Sequence, residues 1–261
     1  MAIETKAATD YTLNELMTVL AAREIRDGDV VFVGIGLPNL ACNLARHTHA
    51  PNMCLIYESG AVGAVPDRVP PSIGDPALVT GSLMVASMQD VFQAMLQNGK
   101  IQVGFLGGAQ IDRYGNINTT VVGDYAKPKV RLPGSGGACE IAIHAQRVLL
   151  IAKLDKRAFP EKVDFITSPG SFSKGKKRAE WGHPGRGPVK CITNMGILEP
   201  DAESGEMVLT AIYPGVTIDQ VRANVGWTLK TKDPLAGVAL PTAQEIKLLR
   251  EKLDPKKLHI K

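Results

Sequence analysis

The sequence predicts an α/β protein with a mostly parallel central sheet flanked by helices, forming a single domain over residues 1–261 with a decorated C-terminal third. Apolar runs of strand length alternate with segments of helical periodicity, and glycine-rich turns connect them. Strand, glycine turn, helix and strand in succession are the pattern of a parallel βαβ unit. A chain of 261 residues, 44% of them hydrophobic, is also long enough to bury a large core.

The first element is predicted to be a helix that begins at Thr12. Thr12 and Glu15 form a capping-box pattern, and an apolar stripe at helical spacing follows until Asp27. Apolar runs and glycine or proline stops then predict a strand at 29–33, a helix from the 34–38 turn to 46, a strand at 53–57, a proline-rich loop at 65–75, a helix at 85–98 and a strand at 101–106.

In the second half of the chain, strand-like and helix-like segments also alternate, but the pattern is weaker. A glycine-rich turn at 133–137 precedes a helical segment, and an apolar run follows as its matching strand. The predicted elements are a strand at 118–122, a helix at 138–145, strands at 147–152 and 163–167, a Gly- and Lys-rich loop at 168–187, strands at 189–193 and 207–213 with a turn at 201–205 between them, and helices at 217–224 and 242–252.

The distribution of charges, cysteines and apolar residues argues against several classes of protein. The net charge is +4, and the basic run at 174–178 has no interleaved aromatic residues, so we interpret it as a solvated loop and not as a nucleic-acid site. The four cysteines lie far apart without zinc-ligand spacing, which favours a reducing cytoplasm over a disulfide framework or a structural metal. No window approaches the ~20 apolar residues of a membrane span. Residues 1–10 are polar, unlike a signal peptide. A soluble, cytoplasmic protein is expected.

Glu58 is the residue around which we predict a site. It follows the apolar run at 53–57 and precedes a glycine-rich turn. It would therefore lie at the carboxyl end of a parallel strand, where ligands bind to open α/β sheets. A half-buried carboxylate there can act as a nucleophile or a general base, or it can be a helix cap or a salt-bridge partner. We favour the nucleophile.

Three glycine-rich turns, at 34–36, 107–108 and 134–137, are candidates for anion binding. Glycine allows positive φ and a close approach of backbone amides, and adjacent amides at a helix start can bind an oxyanion. Each turn taken singly is better explained by the tight connections of a compact sheet. The turn at 34–36 does not complete a dinucleotide fingerprint, because Asn39 occupies the position of the third glycine.

Together these segments resemble a known family. Four ordered motifs carry the resemblance: Val33-Gly34-Ile35-Gly36-Leu37-Pro38, Glu58-Ser59-Gly60, the segment from Gly107-Gly108-Ala109-Gln110 to Asn116 and Asn118, and Gly134-Ser135-Gly136-Gly137-Ala138. They are similar to those of class I CoA-transferases, most nearly the B (beta) subunit of glutaconate CoA-transferase. The resemblance runs from about Tyr11 to the last helix, and it implies the fold of that family.

The resemblance implies covalent, ping-pong chemistry at Glu58. The family's glutamate attacks an acyl-CoA thioester, giving a mixed anhydride and free CoA thiolate, and the thiolate then attacks the anhydride to leave a glutamyl-CoA thioester. An incoming carboxylate reverses these steps and leaves as the new acyl-CoA. The site residues implied are Glu58 as catalytic residue, Gly136 and Gly137 (with Gly137 preferred) for oxyanion and CoA binding, and Gly34, Gly36, Ser59, Gly60, Gln110 and Asn116 as pocket-shaping residues.

The resemblance also implies a partner. Members of the family combine an A half and a B half, so this chain would be a beta subunit that is active only with an alpha (A) subunit, in a heterotetramer or a larger assembly. No metal and no permanently bound cofactor are expected, and coenzyme A enters as acyl-CoA substrate together with a short carboxylic acid. No nucleic acid or membrane is expected as a partner. The alternatives are a CoA-thioester hydrolase or decarboxylase of the same fold, or a non-catalytic subunit of such a complex.

Overall fold

The computed structural model describes residues 7–66, 68–72 and 74–260. Most of the polar N-terminal segment and two positions of the proline-rich 65–75 loop, Asp67 and Ile73, therefore lie outside the described residues. The α-helices are α1 (Leu13–Arg23), α2 (Leu37–His47), α3 (Ala138–His144), α4 (Ile218–Ala223) and α5 (Ala243–Leu248). Shorter helical segments are the 3-10 turns Pro76–Val79 and Arg178–Trp181 and the π-helical turns Asp90–Leu96 and Leu249–Leu253.

The strands are mostly short. In chain order they are β1 (Val30–Phe32), β2 (Cys54–Ile56), β3 (Ala61–Val62), β4 (Met84–Val85), β5 (Val103–Leu106), β6 (Gln110–Ile111), β7 (Ile117–Asn118), β8 (Val121–Gly123), β9 (Pro128–Arg131), β10 (Arg147–Ala152), β11 (Phe172–Ser173), β12 (Lys176–Lys177), β13 (Pro188–Thr193), β14 (Gly196–Pro200), β15 (Met207–Ile212) and β16 (Thr231–Gly237).

The chain divides into two compact units. The first unit comprises Met1–Phe105 and Ala239–Lys261, and the second comprises Leu106–Val238. The single domain expected over residues 1–261 stays a prediction, and each unit is described by itself below.

The first unit is organised around a sheet in the order β5-β1-β2-β3-β4. β1 pairs in parallel with both β2 and β5, with Val31 opposite Leu55 and Val103. β3 and β4 add antiparallel strands at the edge, because the chain turns back directly after β2. α1 begins with the predicted capping box, in which Glu15 N donates to Thr12 Oγ1 at 3.2 Å. The apolar faces of α1 and α2 are buried.

The second unit carries strands in the order β16-β15-β14-β13-β10. β10 and β13 are parallel, as are β15 and β16, whereas β13, β14 and β15 form an antiparallel meander. Short hairpins β6–β7, β8–β9 and β11–β12 decorate this unit. The α/β class is confirmed, with parallel strands in both units and helices connecting them.

Three predicted elements were wrong. The helix predicted at 85–98 begins later, because residues 84–85 form β4 and pair with β3. The strand predicted at 163–167 is not a strand: Thr167 N donates to Ile117 O beside an isolated bridge, but no ladder forms. The loop predicted at 168–187 contains the β11–β12 hairpin and a 3-10 turn. Within residues 7–66, 68–72 and 74–260, no helix combines the length and hydropathy that a membrane crossing requires.

Candidate active site

The turn that follows β2 and the turn that follows β1 lie at the same edge of the first unit's sheet. β1 and β2 are adjacent and parallel, so their carboxyl ends coincide, and Val33 N donates to Ile56 O at 3.1 Å. Glu58 lies two residues after β2, and Gly34 and Gly36 follow β1. The structure therefore brings the predicted nucleophile and the first glycine turn together, at the edge where open α/β sheets bind ligands.

The carboxylate of Glu58 is half-buried and unpaired. Within the described part of the chain it makes no hydrogen bond and no ion pair. A structural carboxylate at this depth would normally be paired, because burying an unpaired charge costs free energy. Among residues 7–66, 68–72 and 74–260, Glu58 forms neither of the structural contacts that the sequence left open, a helix cap or a salt bridge. An unpaired carboxylate is free to react.

The residue before Glu58 anchors the turn to α2. The Tyr57 side chain is fully buried, and its hydroxyl accepts a hydrogen bond of 2.7 Å from Asn39 Nδ2. Asn39 Oδ1 in turn accepts from Asn43 Nδ2 at 2.7 Å, one helical turn further along. Burial raises the pKa of Tyr57 to about 12, so this hydroxyl stays protonated at neutral pH. The chain fixes the position of Glu58 through Tyr57.

Asn39 and Asn43 were not among the predicted site residues. In the sequence, Asn39 is distinguished only as the residue that interrupts a dinucleotide fingerprint. The spacing of Asn39 and Asn43 is the feature that could have indicated their role. Residues at i and i+4 lie on one face of α2, and two buried side-chain amides there need hydrogen-bond partners. The sequence could not identify Tyr57 as that partner, since the hydrogen bond joins residues 18 positions apart.

Gly34 and Gly36 have different roles in the turn after β1. Gly36 has φ of +94° and caps the start of α2, a conformation that other residues rarely adopt. Gly34 needs no positive φ, and a Cβ there would meet nothing within 4 Å. Gly36 therefore sets the course of the chain, whereas Gly34 borders open space. This arrangement is compatible with the predicted pocket-shaping role of Gly34.

Only glycine fits at position 60, because of its backbone conformation and the close approach of Ala86. Its φ is +108°, and a Cβ built on it would lie 2.0 Å from Ala86 O. Ala86 N donates to Gly60 O at 2.9 Å, so the turn after β2 presses directly on the chain beyond β4. Ser59, the residue between Glu58 and Gly60, is exposed.

Gly136 and Gly137 lie in the second unit, at the start of α3. Gly136 has φ of +48°, and Gly137 is the N-cap residue of α3. In the described residues, neither backbone N–H of this pair donates to an acceptor, whereas the neighbouring Ala138 N donates to Ser135 O. Two free, adjacent amides are the donors that an oxyanion needs.

Gln110 and Asn118 form a buried polar network in the second unit. Gln110 Nε2 donates to Asp164 Oδ2 at 3.1 Å, and Gln110 Oε1 accepts from Asn118 Nδ2 at 2.7 Å. Asp164 Oδ2 also accepts from Gly123 N, which ties the β8–β9 hairpin to the same network. The Gln110 side chain therefore has protein partners at both ends and no hydrogen bond to Glu58. Its pocket-shaping role stays a prediction.

The Asn116 side chain, like that of Gln110, is hydrogen-bonded to other protein groups at both its nitrogen and its oxygen. Its Nδ2 donates to the carboxylate of Asp112 and to Phe172 O, and its Oδ1 accepts from Gly170 N at 2.8 Å. Burial raises the pKa of Asp112, while these hydrogen bonds oppose the rise. A Cβ on Gly170 would lie 2.1 Å from Tyr114 O, which explains the glycine. The hydrogen bonds of Asn116 hold loops of the second unit together, and its pocket-shaping role also stays a prediction.

The basic run at 174–178 is only partly the solvated loop that the sequence predicted. Lys174 to Lys177 form the exposed end of the β11–β12 hairpin. Arg178 is buried, and burial lowers its pKa to about 10. Its guanidinium donates to the carbonyl oxygens of Ala142, Ile143, Pro169, Gly170 and Gly185. Arg178 therefore joins the end of α3 to two loops.

Cysteine is another residue type that could act as a nucleophile. Cys54 lies on β2, and burial raises the pKa of its thiol. The same cause raises the pKa of Cys139 on α3. All four cysteines are free. Because the thiolate is the reactive form, thiols with raised pKa values are poor nucleophiles at neutral pH.

Comparisons with known proteins identify the family of this chain. The family model described as Coenzyme A transferase matches residues 14–224. The B subunit of 3-oxoadipate CoA-transferase from Pseudomonas knackmussii is 52% identical over 240 residues, which are 92% of this chain and 92% of that protein. The B subunit of glutaconate CoA-transferase from Acidaminococcus fermentans is 37% identical over 252 residues, 95% of this chain and 94% of that protein.

Solved structures show the same likeness. The crystal structure of glutaconate coenzyme A-transferase from Acidaminococcus fermentans aligns with a TM-score of 0.90 and 36% identity, covering 97% of this chain and 98% of that chain. The decarboxylase AibA/AibB aligns with a TM-score of 0.83 and 26% identity, covering 96% and 98%. The sequence motifs, the fold and these relatives lead to one conclusion: the chain belongs to the coenzyme A transferase family and is similar over nearly its whole length to the B subunits of CoA-transferases.

Proposed function

We propose that this chain is the beta subunit of a CoA-transferase that moves CoA between an acyl-CoA and a short carboxylic acid through a glutamyl-CoA thioester on Glu58. The observation that supports this most directly is the state of Glu58. It is a half-buried carboxylate at the ligand-binding edge of a parallel sheet, with no hydrogen bond or ion pair among the described residues.

The chemistry requires a carboxylate that can be acylated and released again. A Glu58 oxygen attacks the thioester carbonyl, the C–S bond breaks, and CoA leaves as the thiolate. The thiolate then attacks the Glu58 carbonyl of the anhydride, which releases the first acid with one of the two Glu58 oxygens and leaves the glutamyl thioester. The incoming carboxylate attacks this thioester and, by the same two steps in reverse, becomes the new acyl-CoA and restores Glu58. One difficult exchange is thereby divided into easier steps.

The tetrahedral intermediates of these steps carry negative charge on oxygen. We assign the donor role to the backbone amides of Gly136 and Gly137, with Gly137 preferred, because both amides lack an acceptor in the described residues. One such donor is typically worth about 3 kcal/mol of barrier. The positive end of the α2 dipole, at Gly36, would favour the same developing charge beside Glu58.

The relatives suggest the acid and the partner. The two B subunits described above are named for 3-oxoadipate and glutaconate, both of which are short dicarboxylic acids. We therefore propose a short dicarboxylic acid as substrate, with 3-oxoadipate first because its relative is the more similar. Their names as B subunits support an A subunit as the obligatory partner of this chain. Assay of a panel of acids with the reconstituted pair would rank the substrates.

Replacing Glu58 tests the proposal. Glu58→Gln, assayed with the A subunit, should lower kcat by at least about 10³-fold, because an amide cannot form the anhydride. The circular dichroism spectrum and Tm should stay those of the wild type, since the Glu58 carboxylate has no partner to lose among the described residues. Glu203→Gln, which makes the same change at an exposed glutamate, is the control and should retain full activity.

Two results would overturn the assignment. Near-normal transfer by freshly prepared Glu58→Gln would exclude Glu58 as nucleophile. Steady loss of the thioester without any acceptor acid, or release of CO2, would favour the hydrolase or decarboxylase alternative. The similar fold of the decarboxylase AibA/AibB supports the decarboxylase as the alternative.

A further inference from the structure

Arg178 is a buried cation that has no carboxylate partner among the described residues. It is 9% exposed, and its guanidinium donates to five carbonyl oxygens, as many as it has N–H donors. Its pKa, lowered by burial to about 10, still leaves it charged at neutral pH. Because burying a charge without a counter-ion costs free energy, a cation is a poor choice at this position for stability alone.

The guanidinium of Arg178 ties the end of α3 to a second segment of the chain. Its Nη2 donates to the last turn of α3, at Ala142 O (2.7 Å) and Ile143 O (3.2 Å). Its Nη1 donates to Pro169 O at 3.1 Å and to Gly170 O at 3.2 Å. A planar guanidinium can hold both segments at once because its donors are fixed in one plane, whereas the ammonium of lysine is a single point charge.

A glycine-containing loop encloses the same guanidinium. Arg178 Nε donates to Gly185 O at 2.9 Å, and Gly185 N donates to Ile143 O at 2.9 Å. A Cβ on Gly187, whose φ is +72°, would lie 2.9 Å from the side chain of Arg178. The close fit holds the guanidinium in one position, and the end of α3 is held with it.

The glycine-rich turn at 134–137, which leads into α3, is held at its start by Thr119. Thr119 Oγ1 donates to Gly134 O at 2.7 Å, and Gly134 N donates to Thr119 O at 2.8 Å. Thr119 N in turn donates to Thr167 Oγ1 at 2.9 Å. Thr167 belongs to the same segment as two of the carbonyl groups that Arg178 binds. One network therefore holds both ends of the chain from the turn to the end of α3.

Between these two ends, the turn has little restraint of its own. Three of its four residues are glycine, and the amides of Gly136 and Gly137 have no acceptor among the described residues. Glycine has more conformational freedom than any other residue, whereas oxyanion donors act only when they are held within about 0.5 Å of the required position. A turn of this composition needs external restraint to serve as an oxyanion donor, and Arg178 and Thr119 supply it.

We propose that Arg178 is a positioning residue for CoA transfer: by holding the end of α3, it fixes the direction of the backbone amides of Gly136 and Gly137. The donors of its guanidinium are occupied by carbonyl oxygens, so Arg178 acts through the turn and not on the substrate. Thr119 is the anchor at the other end of the turn. This inference rests on the proposed function for the oxyanion role of the two amides.

Arg178→Lys tests the inference, because it keeps the positive charge and removes the planar fork. Assayed with the A subunit, it should lower kcat per folded molecule by about 10- to 100-fold, as expected when a catalytic group is displaced. The Kd for acyl-CoA, measured in the inactive Glu58→Gln background, should change less than about two-fold, since oxyanion contacts form in the transition state. Arg222→Lys, the same change at a half-exposed arginine of α4, is the control and should keep the wild-type kcat.

Thr119→Val tests the other end of the network and keeps the inference testable if Arg178→Lys does not fold. It removes the hydrogen bond from Thr119 Oγ1 to Gly134 O, and it should lower kcat by about 10-fold without changing the Kd for acyl-CoA. The double variant should lose less than the product of the two single losses, because both residues act through one turn.

Two outcomes would overturn the positioning role. A wild-type kcat per folded molecule in both variants, with only the Tm lowered, would show that Arg178 and Thr119 stabilise the fold and do no more. A weaker Kd for acyl-CoA that accounts for the whole loss of kcat/KM would show that they act on substrate binding. Failure of the proposed function has a different signature, since Glu58→Gln would then transfer CoA at a near-normal rate whatever the variants at positions 178 and 119 do.

Discussion

At the scale of single residues, the proposed function depends on two neighbours, Glu58 and Tyr57, that differ in their hydrogen bonds. Among the described residues Glu58 is an unpaired carboxylate, whereas the adjacent Tyr57 is buried and hydrogen-bonded to Asn39. The two adjacent residues therefore have different roles in the proposed site. Tyr57 fixes the backbone of the turn. No hydrogen bond or ion pair among the described residues occupies the carboxylate of Glu58, as the proposed covalent role requires.

The burial of Tyr57 has a measurable consequence at high pH. Its pKa is raised from 10 to about 12, so the folded protein holds the phenolic proton more tightly than the unfolded chain does. The stability contributed by this proton is fully present below pH 10 and is lost as pH rises from 10 to 12. The loss attributable to Tyr57 should reach roughly 2 kcal/mol at pH 12.

Tyr57→Phe should remove that dependence, at the cost of about 1–2 kcal/mol at neutral pH because Asn39 Nδ2 loses its acceptor. The measurement is the free energy of unfolding in urea from pH 8 to the highest pH at which both proteins fold. The difference between wild type and variant should shrink as pH rises. A difference that stays constant would show that the hydroxyl ionises as readily in the folded protein as in the unfolded chain.

At the scale of elements, the hairpin formed by β2, β3 and β4 is the part that the sequence predicted least well. The strand leading to Glu58 was recognised because an apolar run ends at a glycine turn. The helix predicted at 85–98 included Val85, which belongs to β4. Pairing with β3 decides the conformation there, and pairing partners cannot be read from one segment alone.

Two other differences between prediction and structure also depend on pairing. β16 was not predicted; it contains Pro234 and Gly237, residues that are uncommon inside a strand, and it pairs as an edge strand beside β15. Residues 163–167 have the composition of a strand, but Val163 and Thr167 are buried without forming a ladder.

In the candidate site, features set by one segment were predictable from the sequence, whereas contacts between distant segments were not. The placement of Glu58 and the 34–36 turn was predictable, because both follow apolar strands of one parallel pair. The partners of Gln110 and Asn116 were not predictable, because their hydrogen bonds reach Asp164 and Gly170, each 54 positions away along the chain. Such contacts depend on how loops pack, which a single segment does not encode.

The tight contact between the Glu58 turn and the chain after β4 gives a prediction for Gly60. Gly60→Ala combines a positive φ with a Cβ 2.0 Å from Ala86 O, and it should lower the free energy of unfolding by about 2–4 kcal/mol. Gly28→Ala is the control, since Gly28 also has a positive φ (+82°) but nothing within 4 Å of its Cβ. Its cost should be about 1 kcal/mol. Equal losses in chemical denaturation would show that the backbone contact at Ala86 contributes nothing.

At the scale of the whole molecule, the described residues include the unpaired carboxylate of Glu58 in the first unit and the free backbone amides of Gly136 and Gly137 in the second. These features are consistent with one half of a two-subunit enzyme. The relatives that match nearly the whole chain are themselves named as subunits. The isolated chain is therefore expected to be inactive until it pairs with an A subunit.

Trapping the intermediate is the most direct test of this account. The reconstituted pair would be incubated with acyl-CoA in the absence of acceptor acid, treated with hydroxylamine, digested and analysed by peptide mass spectrometry. We predict a hydroxamate on Glu58, present with the A subunit and absent from the isolated chain and from Glu58→Gln. A label on another residue, or no label on a pair that actively transfers CoA, would contradict the covalent role of Glu58.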